Sequence, residues 1–81
     1  MSEAPASNIE IFIPLLDEGT AVSRPTQARL VGPEEYLVLP TPDYDQEVEH
    51  WEFPPGSVVQ CVLEHWHLGD ILVARKLVRR Q

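Results

Sequence analysis

The chain has 81 residues, six basic against thirteen acidic side chains, and a net charge of −7. That length holds one domain with a small core, and the charge works against phosphate backbones and anionic lipid as partners. A hydrophobic fraction of 43% excludes disorder throughout, while eight prolines and four glycines spread along the chain exclude long helices.

Residues 1–8 are polar and carry Glu3 where a secretory signal would carry basic charge and then an apolar stretch, so they are expected to be a disordered lead. From residue 9 the pattern alternates. Ile9, Ile11 and Ile13 share one face, with Glu10 and Phe12 on the other, which indicates a strand whose β-branched side enters the core. Pro14 marks a bend or sheet edge, and Asp17-Glu18-Gly19-Thr20 reads as a turn. A short extended piece over 21–24 is expected to break at Pro25, and a second strand to run over 26–31. Gly32-Pro33-Glu34-Glu35 then connects it to a third strand over 36–39, giving a hairpin.

Pro40-Thr41-Pro42 ends that strand, and an acidic stretch follows over 43–49. Two readings of it stand: an exposed loop, or a short helix capped by Thr41 with Pro42 in its first position. Next comes the densest structural signal of the chain, residues 51–59. Trp51 and Phe53 alternate with Glu52, so an extended segment places both rings on the core side. This is the expected fourth strand, over 50–53. Pro54-Pro55-Gly56 forces a turn, and a fifth strand follows over 57–66, with Val59, Cys61 and Leu63 opposite Gln60, Val62 and Glu64. His67-Leu68-Gly69-Asp70 turns the chain into a sixth strand over 71–78, leaving 79–81 as a tail.

Short strands bounded by turn residues specify an all-β fold. At this length the expected form is a small, strongly bent antiparallel barrel of five to six strands over 9–78, SH3-like or OB-like, since closure removes exposed edges. No apolar run reaches the ~20 residues of a membrane helix. Cys61 is the single cysteine, so no intrachain disulfide forms, and a cytoplasmic setting is expected.

Two stretches carry a resemblance. Leu15-Leu16-Asp17-Glu18-Gly19-Thr20 with Val22 and Arg24-Pro25, and the stretch from Trp51 to Val59, resemble a group of short bacterial proteins without an assigned activity. That group carries LLDEGT-x-V-x-RP and W-x-FPPG-x-VV segments. Ser23 stands where an aromatic is expected there. The resemblance implies a small β-rich bacterial protein and brings no catalytic, cofactor or binding residues with it.

Several clusters bear on chemistry. Cys61, His65 and His67 have the types and parity of zinc ligands, with His50 a further candidate, but Cys61 falls on the core face, where a lone cysteine acts as a small hydrophobe. Asp43, Asp45, Glu47 and Glu49 alternate as calcium ligands do, yet Val48 and Pro54 occupy the positions where an EF-hand needs glycine and its closing glutamate. Asp17 and Glu18 read as turn residues. Arg75, Lys76, Arg79 and Arg80 gather four of the six positive charges, a set that would serve single-stranded nucleic acid in some small barrels but here reads as a solvated strand end. No phosphate loop, nucleophile elbow or HExxH is present, so neither enzyme chemistry nor a cofactor is expected. The expected role is a protein-interaction module. Its contact residues would be Asp43, Tyr44, Asp45, Glu47, Glu49 and Trp66, facing a basic protein, with homodimerisation a further expectation.

Overall fold

The computed structural model describes residues 8–16, 22–66 and 69–80. It is all-β: β1 (Ile9–Pro14), β2 (Ser23–Gly32), β3 (Glu35–Val38), β4 (Ser57–Trp66) and β5 (Gly69–Arg80) form a closed barrel in the order β1-β2-β3-β4-β5. Each successive pair is antiparallel. Four reversals return β5 to the direction of β1, so the ring closes on a parallel contact, Phe12 beside Val73.

The isoleucine alternation of β1 works as read. Ile11 and Ile13 are fully buried and cluster with Ala28, Val38, Trp51, Phe53, Val59 and Ala74, while Ile9 packs at the margin. β5 has 12 residues against the 10 of β4. The difference is taken up by two bulges, between Val58 and Val59 and between Gln60 and Cys61, which leave Val78 and Arg75 as the extra residues. Bulges bend and twist a strand, and here they curl the ribbon onto the rest of the sheet.

Pro25 does not break β2, contrary to expectation; it pairs with Phe12 inside a continuous strand. The reason lies in ladder parity. The Leu15 N–H donates to the Val22 carbonyl (2.9 Å), which makes that pair hydrogen-bonded. Alternation then makes Ile13/Arg24 and Ile11/Thr26 hydrogen-bonded and Phe12/Pro25 not. The nitrogen of Pro25 therefore points away from β1. β3 pairs with β2 only from Ala28 onward, so no ladder on that side lacks a donor.

The expected fourth strand is a second correction. Residues 50–53 form only an isolated bridge, Leu15 with Trp51. The Leu16 N–H donates to the His50 carbonyl (2.7 Å) and the Glu52 N–H to the Pro14 carbonyl (2.9 Å). The return bond from Pro14 to Glu52 cannot form because proline has no N–H, and Pro54 and Pro55 bar any extension. One bridge still places Trp51 (3% exposed) and Phe53 (6%) in the core.

The last strand is longer than expected at both ends. Gly69 and Asp70, assigned to a turn, pair with Trp66 and His65, and Arg79 and Arg80, assigned to a tail, pair with Val58 and Ser57. The hairpin between β2 and β3 is tighter than four residues, since Gly32 already pairs with Glu35. Pro33 takes its first corner and Glu34 the second, at φ 58°. The expected lead over 1–8, except Asn8, the turn at 17–20, and His67 with Leu68 lie outside the described residues.

Candidate interaction surface

Between β3 and β4 the chain makes two successive turns rather than a helix. The Tyr44 N–H donates to the Thr41 carbonyl (3.0 Å), closing the first turn. Asp45, not Thr41, then acts as the capping residue: its Oδ1 accepts from the Glu47 N–H (2.9 Å), and its carbonyl accepts from the N–H groups of Val48 and Glu49 (2.9 Å each). These bonds put Asp43, Asp45 and Glu47 on the exposed side of the loop, with Val48, 74% exposed, among them.

Glu49 has a different place. Its carboxylate accepts a two-pronged bond from Arg24 of β2, Nε to Oε1 at 2.8 Å and Nη2 to Oε2 at 2.6 Å. Oε1 also accepts from the Trp51 indole Nε1–H at 3.0 Å. The bond from Arg24, then that from Trp51, holds the carboxyl below the usual glutamate range. The same fork, with smaller help from the charges of Glu49 and Asp43, raises the guanidinium's own pKa. Tyr44 packs its ring edge-on against Trp51, centroids 4.7 Å apart. Glu49 and Tyr44 thus anchor the loop to the core, while Asp43, Asp45 and Glu47 are what it displays.

Trp66 sits elsewhere. Its face of β4 is that of Val62 and Glu64, opposite the core face, and it is 38% exposed. It contacts Phe12 (centroids 5.7 Å) and donates from Nε1 to Glu64 Oε1 (3.2 Å). Glu64 in turn takes a fork from Arg75, at 2.6 and 2.9 Å, which holds its carboxyl below the usual range, with the Trp66 bond second. Both of these Trp66 partners lie on strands and not in the acidic loop, so the six expected contact residues fall into two groups.

The two groups share one construction that reading for motifs missed. Glu49-His50-Trp51 and Glu64-His65-Trp66 are the same tripeptide. In each, the tryptophan N–H donates to the glutamate two residues earlier, an arginine from another strand forks that glutamate, and a second aromatic packs on the indole. Alternation explains it: residues two apart on an extended chain lie on one face, within reach of one guanidinium. The repeated Glu-His-Trp was the available signal. One copy is closed over by the core and the other stands at the surface.

The Cys/His set is not drawn together where it is described. Cys61 and His65 lie four residues apart on one strand, about 13 Å, too far for one zinc ion to reach both at ~2 Å. Burial pushes the Cys61 thiol up to about 11, so it stays protonated. His65 Nδ1 meets Asp70 across the ladder, and His67 lies outside the described residues. Among those residues no three His, Cys, Asp or Glu side chains converge to hold an ion. Of the four C-terminal cations, Arg75 faces Glu64, and Arg79 Nη1 donates to Glu35 at 2.9 Å. Among the described residues, no helix is long and apolar enough to cross a membrane.

In comparisons with known proteins, no family model matches the chain, and neither a curated protein nor a solved structure matches it.

Proposed function

We propose that the chain is a non-enzymatic interaction module of a bacterial cytoplasm that offers a pre-shaped acidic loop to a basic protein. The observation that carries this is the division of labour within residues 43–49. Glu49 and Tyr44 tie the loop to Arg24 and Trp51, while Asp43, Asp45 and Glu47 stay exposed. A loop already held in shape loses little conformational freedom on binding. Three like charges on it steer a basic partner and reject acidic ones. Arg75 and Arg79 face carboxylates, which leaves a weak footprint for nucleic acid and favours the acidic loop over the C-terminal basics.

The test is a pull-down from the native host with the full chain and with Asp43→Lys, Asp45→Lys, Glu47→Lys together. A basic protein retained by the wild type, released by rising salt and lost with the triple reversal is the expected result. Undiminished capture by the reversed loop would sink the proposal.

A further inference from the structure

β4 is ten residues long, but β3 covers only its beginning, pairing at Leu37/Val58 and Tyr36/Val59. On that side residues 60–66 bond to no other strand among the described residues, although β5 pairs with them on the other side as far as Trp66/Gly69. Natural proteins guard such an edge with proline, lysine, an unpaired charge or a bulge. Gln60-Cys61-Val62-Leu63-Glu64-His65-Trp66 has no proline or lysine, and both extra bulge residues lie on β5. Its one acid, Glu64, is held by Arg75. Val62, Leu63 and Trp66 are 51%, 63% and 38% exposed along it.

We infer that a second copy of this chain occupies the edge, β4 against β4, antiparallel about a two-fold axis through Leu63. The segment is self-complementary in that register. Leu63 meets Leu63 of the second copy, Val62 meets Glu64, Cys61 meets His65 and Gln60 meets Trp66, with no like charges opposed. Charge also selects the occupant. Two chains of net charge −7 repel wherever that charge is unbalanced, as on the acidic loop. At this edge the one acid of the segment, Glu64, is balanced by Arg75, so like chains approach here with less repulsion than at the acidic loop. Trp66, hydrogen-bonded to Glu64 and backed by Phe12, stands at each end of the paired β4 strands as an anchor. This contact uses none of the loop acids and is independent of the function proposed above.

Sedimentation of the full chain across a wide concentration range tests it. The wild type is expected to pass from monomer to dimer. Leu63→Lys, which sets two ammonium groups on the axis, abolishes the dimer while circular dichroism stays that of the folded barrel, because Leu63 is exposed. Leu63→Cys in a Cys61→Ser background yields a disulfide-linked dimer on mild oxidation, since facing cysteines on paired strands lie within bridging reach. Wild-type Cys61 stays unlinked, being about 13 Å from its counterpart in this register. Triple reversal of Asp43, Asp45 and Glu47 leaves the dimer intact. A wild type that is monomeric throughout with no cross-link from Leu63→Cys overturns the inference, as does a dimer that survives Leu63→Lys or dissolves on loop reversal.

Discussion

Replacing each tryptophan by alanine separates the two Glu-His-Trp sites by energy. A domain of 81 residues holds about 4–12 kcal/mol of stability in all. Trp51 is 3% exposed, among Ile13, Phe53 and Val59 in the core cluster. Removing its ring leaves a void the barrel cannot collapse into, at a cost of about 3–5 kcal/mol. Trp66 is 38% exposed, so its removal opens to water instead of leaving a sealed cavity. It forfeits the Phe12 contact and part of its burial, about 1–2 kcal/mol in all. Urea unfolding followed by far-ultraviolet circular dichroism reads both, because fluorescence would change with the substitution itself. It is run at a concentration where the wild type sediments as a monomer. With a slope of about 1 kcal/mol per molar urea, Trp51→Ala lowers the midpoint by about 3–5 M or unfolds the chain outright, and Trp66→Ala lowers it by about 1–2 M. Equal losses, or a larger loss at Trp66, would refute the assignment of Trp51 to the core and Trp66 to the surface.

Two further predictions concern single side chains. The carboxyl groups of Glu49 and Glu64 both have folded pKa values below the ordinary 4.5, so their stabilising effect is full above that value and is lost as pH falls through the lower, folded one. Glu49→Gln is therefore expected to flatten the fall in melting temperature on the acid side of pH 4.5, measured against the wild type; an unchanged acid limb would show that the Arg24 fork does not contribute. Glu34 holds φ 58°, a left-handed conformation that costs a non-glycine residue about 1–2 kcal/mol. After the entropy glycine brings to the unfolded chain, Glu34→Gly should gain about 0.5 kcal/mol, a rise of about 2–4 °C in melting temperature, and a fall would mean that the Glu34 side chain contributes a contact of its own.

Much of the fold was legible because local chemistry and tertiary structure agree. β4 has the bounds its pattern dictates, since Pro54-Pro55-Gly56 fixes its start and valine alternation carries it onward. Pro25 was misread because a missing donor matters only when that donor would face a partner, and facing depends on a register set by β1. Residues 50–53 read as a strand because their alternation is real; pairing stops because the opposing residue is Pro14, distant in sequence. The acidic run could be seen in the sequence, but not which acid turns inward. Glu49 does so because Arg24 lies across from it, a long-range fact that charge spacing does not encode. Parity put Trp66 on the outer face, but the same rule fails for Leu63, which has the core parity of Val59 and is 63% exposed because β3 stops short of it.

The seam between β1 and β5 rests on one bridged pair, Phe12 with Val73. Four hairpin-type steps can assemble from neighbours in sequence, but this joint unites strands from opposite ends of the topology and must wait for all the others. It is therefore expected to form late in folding and to part early when the barrel breathes. Amide protons along it should exchange with solvent before those of the β4–β5 ribbon, and a ligand or variant that grips both sides would stiffen the whole ring.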